Sequence, residues 1–562
     1  MDEMKHRRLQ ELDRSDFEIV DGEPDIRGWD VKNATGQKIG EVEDLIIDAR
    51  LKKVRYMVVD LDDNDLDIKH DKVAIPIGLA ELDKKEDDVI IPGINTEQLR
   101  ALPDYFIDKA NKQGLFNGRV VLIKSTAAGS ADEFNKQDGL YTLCVKGIEN
   151  DKLVEENSIN ASISRVLSAS SEWEKILDCA GDPNIEIVIS NTTEVGLDLV
   201  RESIHESPPS SYPAKLLAIL YKRYKAFNGD KDKGMVIIPT ELIPDNGKKL
   251  SAVLKELSVY NDLESLFINW LETSNHFCSS LVDRIVPGKL PADKQKQAEK
   301  EFGYEDGLMI MSESYRLWAI EASDKKVREI VSFSKADEGV IIAPDIFIFR
   351  ELKLRLLNGA HTYSCGLAHL AGFRLVKDAM SDPQFSSYIT GLMMQEIVPA
   401  ITGNGITREM AIDFSMKVLD RFRNPYIEHA WLSITLQYSS KMKMRNVPTL
   451  LKYYQQHQTV PAYMALGYAA HILFMRCKKN KDGKYEGVSN DSAYIINDDH
   501  AEIYSQRCEN LTTENFVHET LADQSLWGYD LSQLPGFEKA VLENIQLLMR
   551  EGVAAAINKT IL

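Results

Sequence analysis

The sequence predicts three folding regions in series: a small all-β domain, an α/β domain of doubly wound type, and a mostly α-helical C-terminal domain. Residues 24–105 contain short apolar runs separated by turn signals, which is typical of strands joined by hairpins. From residue 106 to residue 250, helical and strand patterns alternate, which favours a parallel sheet covered by helices. Over residues 251–562, helical spacing predominates.

Length, charge and cysteine usage narrow the class of protein. The 562 residues suffice for about three or four folding units. A net charge of −20 disfavours nucleic acid as a partner but allows a small anionic substrate. No run of about 18 apolar residues predicts a membrane span, and the N-terminus has no secretory signal. The 6 scattered cysteines, without a CxxC pair, predict a reduced, cytoplasmic protein with no zinc site.

The small all-β domain follows a charged lead-in, residues 1–23. Its strands are expected at residues 38–47, 54–61, 73–79 and 89–94, and Pro76 predicts an edge strand or a bulge. Residues 26–31, 36–40, 54–60 and 74–78 resemble the PRC-barrel family. This resemblance implies a docking or scaffolding barrel with a protein partner.

The α/β domain is expected to contain a buried strand at residues 119–123 and further strands at 185–189 and 235–238. Helices are predicted at 106–114 and 212–224 in this domain, and at 411–422 and 449–456 in the C-terminal domain.

The segment from Lys353 to Thr362 carries the most informative chemistry. Lys353, Asn358 and His361 are spaced by five and three residues, so on an α-helix they fall within an arc of about 140°. The amide and the imidazole can donate hydrogen bonds to a carbonyl or alkoxide oxygen. The lysine can move a proton if burial lowers its pKa towards neutrality. The alternative is an ordinary helix surface with a satisfied polar contact.

The block K-x-x-x-x-N-x-x-H resembles the signature of the polyol-specific long-chain dehydrogenases, the mannitol dehydrogenase family. The resemblance implies that Lys353 is the general acid and base, that Asn358 and His361 bind the reacting oxygen, and that no metal takes part. It runs from about residue 106 to the C-terminus.

Four further blocks match the same family in order, and each implies a role. Residues 190–196 would place Thr193 and Glu194 beside the nicotinamide of NAD; residues 238–247, 275–287 and 440–445 would bring Asn246, Asp283 and Lys441 to the substrate.

Each of these blocks also has a structural alternative. Asn246 could form a turn with Gly247, Asp283 could pair with Arg284, and Lys441 could lie on a solvated helix face. The histidines outside the signature are expected to pack or cap helices: His276, His369 and His429.

Within the family, the sequences of these blocks are most similar to those of members that reduce the keto group of a hexuronate. The resemblance therefore implies hydride transfer from NADH to tagaturonate, giving altronate, with fructuronate as the alternative substrate.

One family feature is missing from this sequence. The family begins with a strand and a Gly-rich turn that places backbone N–H groups against the cofactor pyrophosphate. Here the resemblance starts at Phe106, beyond that turn. The alternative Gly-x-Gly segment, Gly403-Asn404-Gly405, follows no predicted strand and lies in a loop between predicted helices, so it is not expected to bind the pyrophosphate. A doubly wound sheet without its first strand must re-pair, be completed by another segment, or be damaged. We therefore expect weak NADH binding, and a non-catalytic fusion or relic is the alternative function.

Overall fold

The computed structural model describes residues 9–15, 17–20, 24–33, 38–48, 52–61, 72–77, 81–83, 88–91, 119–125, 134, 136–193, 195–335, 337–481, 483–490 and 492–561. The predicted helix at 106–114 lies outside these residues. The chain forms two compact units. The first comprises Met1–Lys146, Glu155–Ser312 and Arg316–Pro344; the second comprises Gly147–Val154, Glu313–Tyr315 and Asp345–Leu562.

The N-terminal β-domain of the first unit is one sheet of seven strands, in the order β5-β4-β3-β2-β7-β6, with β1 pairing on β3. The strands are β1 Leu9–Glu11, β2 Asp30–Asn33, β3 Lys38–Asp48, β4 Lys53–Asp60, β5 Lys72–Pro76, β6 Glu81–Asp83 and β7 Asp88–Ile91. Alternate residues of β3 and β4, such as Val42 and Met57, are buried together. Pro76 ends β5 at the edge of the sheet, as predicted.

The α/β part of the chain contains β8 to β19, with helices or 3₁₀ turns between several of them. It belongs to the first unit, except that residues 147–154 and 313–315 belong to the second. The strands are β8 Val120–Lys124, β9 Tyr141–Glu149, β10 Lys152–Asn160, β11 Ile163–Ser168, β12 Ile187–Ser190, β13 Val236–Pro239, β14 His276–Phe277, β15 Ser280–Asp283, β16 Gly288–Lys289, β17 Ile310–Ser312, β18 Leu317–Glu321 and β19 Val340–Ala343. The helices are Ala169–Cys179, Tyr212–Ala226, Asn246–Tyr260, Ser265–Ser274, Ala292–Phe302 and Lys325–Ile330, with 3₁₀ turns Lys231–Lys233 and Ser332–Lys335.

The parallel strands divide into two separate ladders. β8 pairs in parallel with β11, and β12, β13 and β14 form a second parallel set. Among the described residues, no ladder joins the two sets. A doubly wound sheet of order 3-2-1-4-5-6 without strand 1 gives this division.

The strand at 119–123 is present but is not buried, which corrects the sequence prediction. Val120 and Ile123 of β8 are 46% and 41% exposed, and Ile189 of β12 is 51% exposed. An apolar run of this length predicts burial only when the strand has neighbours on both sides. Both ladders pack helices on a shared face through Val121, Val188 and Leu217.

Strands continue well beyond residue 250, where a mostly helical region was expected. β15 pairs antiparallel with β18, and β18 pairs in parallel with β19. This sheet covers the second face of β13 through Val236, Ile238 and Ile320. Its strands were missed because they are short and contain polar residues such as Ser280 and Asp283.

The second unit is mainly helical, and the helices share one large apolar core. Its α-helices are Phe347–Leu352, Ala360–Leu370, Val376–Ser381, Pro383–Gly391, Val398–Ile401, Arg408–Arg423, Trp431–Ile434, Tyr438–Lys441, Val447–Gln456, Ala462–Phe474, Ala501–Asn510, Thr513–Ala522, Gln524–Trp527 and Phe537–Ile561. Three π-helical turns interrupt them in the described residues: Lys353–Gly359, Leu392–Ile397 and Met442–Asn446. The small sheet β20 Lys478–Lys479, β21 Tyr485–Ser489 and β22 Ser492–Ile495 and the 3₁₀ turn Leu531–Gln533 complete the unit.

Within the part of the chain that the structure describes, no helix combines the length and the apolar character needed to cross a membrane. The same residues contain no group of three or more His, Cys, Asp or Glu side chains able to hold a metal ion.

Candidate active site

The predicted catalytic helix contains a π turn, which changes the geometry expected from the sequence. Lys353 and Asn358 lie in the turn Lys353–Gly359, and His361 is the second residue of the helix Ala360–Leu370. In a π turn the hydrogen bonds join residues five apart, so Lys353 and Asn358 lie roughly one above the other. The α-helical arc of about 140° was therefore wrong for this pair. Lys353 and Asn358 are half-buried.

His361 is buried between aromatic rings. Its imidazole stacks on Phe422, with centroids 4.0 Å apart and planes 19° apart, and meets His429 and Trp431 edge-on. The Nε2 atom of His361 is buried and has no hydrogen-bond partner within the described chain. A buried polar atom left unpaired costs about 1–3 kcal/mol, so this nitrogen is a natural attachment point for a ligand oxygen.

The surroundings of His361 keep its imidazole neutral. Burial lowers its pKa well below the ordinary value, and the nearby His429, Arg421, Arg445 and Lys441 lower it further. A neutral imidazole retains one N–H donor and can polarise a carbonyl oxygen without first losing a proton.

Lys441, predicted from sequence to orient the substrate, lies in this cationic surrounding. Its Nζ donates to the backbone oxygen of Ile434 at 2.8 Å, and burial followed by the charge of Arg445 lowers its pKa. His429, expected only to pack or cap, lies in ring contact with His361. The sequence offered no signal for His429, because its partner is 68 residues away along the chain.

A chain of hydrogen bonds connects Arg445 to the π turn. Arg445 Nη1 donates to Thr362 Oγ1 at 3.1 Å, and Thr362 Oγ1 donates to the backbone oxygen of Asn358 at 2.7 Å. The sequence analysis included Arg445 in the block at 440–445 without giving it a role, and it missed Thr362. The helical spacing of four between Lys441 and Arg445 was the available signal.

The stack on His361 is held by a buried ion pair. Arg421, next to Phe422, donates to Glu313 at 2.8 Å, and its guanidinium lies 4.4 Å from the ring centre of Tyr315. Both charged side chains are almost fully buried, at 3% and 1% exposure. Phe422 is therefore fixed at the end of its helix, and so is the ring face that it presents to His361.

In the first unit, the predicted cofactor loop follows β12 and is braced by Glu241. This buried carboxylate accepts hydrogen bonds from Ser190 Oγ at 3.1 Å, from the Thr192 backbone N–H at 2.9 Å and from Thr192 Oγ1 at 2.7 Å. Thr193 is the next residue of the loop, and its backbone oxygen accepts from Gly196. The predicted residue Glu194 lies outside the described residues. The loop stands at the carboxyl end of parallel strands, where doubly wound sheets bind ligands.

Asn246 is fully buried, and its side-chain amide is saturated by backbone groups. Nδ2 donates to the oxygens of Pro239, Glu241 and Ser280, and Oδ1 accepts from the N–H groups of Gly247 and Ser280, all at 2.9–3.0 Å. This leaves the amide no hydrogen-bonding capacity for a substrate. Asn246 begins the helix Asn246–Tyr260, so the isolated turn considered as its alternative is not formed either.

Gly247 is required where it stands, because a Cβ there would lie 2.6 Å from the backbone nitrogen of Ser279. This close approach lets Asn246 clamp Ser280, the first residue of β15. Asp283, the predicted substrate ligand, is the last residue of the same strand and is 6% exposed. The sequence blocks around Asn246 and Asp283 are thus joined through one short strand.

The comparisons with known proteins match both units. Residues 99–331 match the mannitol dehydrogenase Rossmann domain, residues 345–549 match the mannitol dehydrogenase C-terminal domain, and residues 22–98 match the PRC-barrel domain. Altronate oxidoreductase of Bacillus subtilis (strain 168) is 34% identical over 462 residues, which cover 82% of this chain and 92% of that protein. Altronate oxidoreductase of Escherichia coli O7:K1 is also 34% identical and is covered to 94%.

Two solved structures share the fold. Mannitol 2-dehydrogenase of Pseudomonas fluorescens, in a ternary complex with NAD and D-mannitol, aligns with a TM-score of 0.55 at 23% identity, over 81% of this chain and 90% of that chain. Substrate-free D-sorbitol dehydrogenase aligns with a TM-score of 0.62 at 20% identity, over 78% and 88%. These likenesses concern the fold, including the Rossmann-type domain and the helical domain predicted from sequence.

Proposed function

Because the chain belongs to the mannitol dehydrogenase family, we propose that it is an NAD-dependent oxidoreductase that reduces the keto group of a hexuronate, converting tagaturonate to altronate. The altronate oxidoreductases, at 34% identity and nearly full coverage, support this substrate class. The observation that carries the proposal is the unpaired, buried Nε2 atom of His361 on the same helical segment as Lys353 and Asn358.

In the proposed reduction, each side chain has the role that its hydrogen-bond or proton donor allows. The neutral imidazole of His361 and the amide of Asn358 donate hydrogen bonds to the substrate keto oxygen and stabilise the negative charge that develops there. The protonated Nζ ammonium of Lys353 then supplies the proton that converts this oxygen to a hydroxyl and becomes a neutral amine, which takes the proton back in the reverse direction. In the second unit, Lys441 orients the sugar acid. In the first unit, Asn246 holds the strand that carries Asp283, which the family resemblance makes a substrate ligand.

NAD fits part of the first unit. The braced loop after β12, with Thr193, would hold the nicotinamide end, and the bound cofactor would supply the hydride. The pyrophosphate end is a poorer fit, because the sequence lacks the Gly-rich turn and the parallel strands form two ladders. We therefore propose that NADH binds weakly.

The same division of the sheet favours a second candidate, a non-catalytic protein whose PRC barrel docks to a partner. An assay of NADH consumption with tagaturonate and, separately, with fructuronate distinguishes the two functions. Consumption with tagaturonate above that with fructuronate supports the proposed reductase. Faster consumption with fructuronate would reassign the substrate, and no consumption with either at saturating NADH would favour the non-catalytic protein.

A further inference from the structure

Arg445 differs from three other buried or half-buried arginines of the second unit. Arg355, Arg421 and Arg507 each pair with a carboxylate: with Glu351 at 3.2 Å, Glu313 at 2.8 Å and Asp523 at 2.5 Å. The polar partner of Arg445 is instead the neutral hydroxyl of Thr362. In the described residues no carboxylate forms an ion pair with Arg445.

The lack of a carboxylate partner among the described residues leaves the charge of Arg445 poorly compensated in the free protein. The Arg445 side chain is half-buried, so its charge has lost part of its hydration, and this burial lowers the pKa of the guanidinium. A half-buried guanidinium has five N–H donors, and a single hydroxyl satisfies only one of them. A cation that is partly buried and has few hydrogen-bond partners binds an anionic ligand with a more favourable free energy than a fully solvated surface cation does.

An anion bound to Arg445 would lie beside the helical segment that carries the proposed catalytic residues. Thr362, its partner, follows His361 directly and bonds to the backbone of Asn358. Lys441, one helical turn earlier, adds a second charge beside His361. Two cations next to the proposed oxygen-binding groups suit a substrate that carries both a keto group and a carboxylate.

We propose that Arg445 binds the carboxylate of the sugar acid and so determines selectivity for uronates over neutral ketoses and polyols. The planar guanidinium can donate hydrogen bonds to both carboxylate oxygens, whereas Lys441 provides only a point charge. This inference rests on the proposed function, and it names the residue that selects the substrate class. From the sequence, Lys441 was the residue of the block at 440–445 expected to orient the substrate.

The test compares two ligands that differ only in the anionic group. The full chain is titrated calorimetrically with sodium altronate and with altritol, in which a hydroxymethyl group replaces the carboxylate. NADH is present throughout, so no hydride transfer takes place. Turnover of tagaturonate is measured separately.

Wild type is expected to bind altronate more tightly than altritol. Arg445→Gln should weaken altronate binding by roughly 10- to 100-fold, the worth of a charge-assisted contact, and leave altritol unchanged. Arg445→Lys should recover part of the loss, which also shows that the site tolerates substitution. Lys443→Gln, which removes an exposed cation two residues away, is the matched control and should change neither affinity.

Equal binding of altronate and altritol by wild type would overturn the assignment, and so would unchanged altronate affinity in Arg445→Gln. The turnover assay reports on the proposed function independently. No reduction of tagaturonate, with the altronate preference still dependent on Arg445, would refute the reductase while supporting Arg445. Normal reduction with no effect of Arg445→Gln on altronate affinity would refute Arg445 alone.

Discussion

The imidazole of His361 lies parallel to the ring of Phe422, with centroids 4.0 Å apart, while its Nε2 atom remains unpaired in the described structure. The ring is thus held by packing, and its polar atom is kept for another partner. We therefore expect that stability and the proposed function can be separated at this residue.

Replacing His361 with phenylalanine should separate them. Phenylalanine keeps the stack but removes the hydrogen-bond donor, so kcat should fall by about 10²–10³. The free energy of unfolding should not fall, because a buried unpaired nitrogen is removed as well. His369→Phe is the control, since His369 packs against Phe474 and Tyr494 and should keep full activity. Unfolding of the His361 variant at lower urea with kcat unchanged would assign His361 a purely structural role.

Asn246 should be important for stability. Asn246→Ala leaves buried backbone groups of Pro239, Glu241 and Ser280 without partners, which should lower the free energy of unfolding by about 3 kcal/mol or more. Urea unfolding measures this, with exposed Asn269→Ala expected to stay within about 0.5 kcal/mol of wild type. A raised KM with unchanged stability would instead make Asn246 a substrate ligand.

Glu396 should make stability depend on pH. It accepts backbone hydrogen bonds from Tyr463 and Met464 at the start of the helix Ala462–Phe474, and burial raises its pKa to about 8. The unfolded value is about 4.3, so between these values the folded state holds a proton that the unfolded state lacks. This stabilisation is complete below the unfolded pKa and is lost as pH rises through the folded pKa, by up to about 1.4 kcal/mol per unit.

Glu396→Gln removes this titration. The free energy of unfolding of the variant, relative to wild type, should therefore increase from pH 5 to pH 8, as denaturation curves at several pH values will show. Glu519→Gln, which makes the same chemical change at an exposed position, is the matched control. A flat difference for Glu396→Gln would mean that its carboxyl group is not perturbed in the fold.

The missing Gly-rich turn predicts weak NADH binding. Several backbone hydrogen bonds to the pyrophosphate would be absent, so NADH affinity should be roughly 100-fold or more below that of an NADH-binding dehydrogenase that has the turn, titrated side by side. Comparable affinities for the two proteins would show that another part of the chain replaces the turn.

Local patterns were sufficient to predict the order of the regions, the helix at Tyr212–Ala226 and the strand at Val236–Pro239, because periodicity and apolar content decide these. They did not predict the π turn at Lys353, in which hydrogen bonds span five residues instead of four and which depends on packing. Nor did they predict the exposure of β8, which follows from the pairing of distant strands. The contacts of Glu241, Thr362 and His429 likewise join segments that are far apart in sequence or were not expected to interact.

The central claim is that the segment with Lys353, Asn358 and His361 catalyses reduction of a hexuronate. The most direct measurement is NADH consumption by wild type and by Lys353→Ala, with saturating tagaturonate and NADH and with thermal melts to verify the fold. We expect turnover by wild type and a loss of about 10²–10⁴ in the variant, the contribution of a positioned proton donor, while Lys443→Ala retains the wild-type rate. Equal rates in wild type and Lys353→Ala, or no NADH consumption by wild type, would contradict the claim.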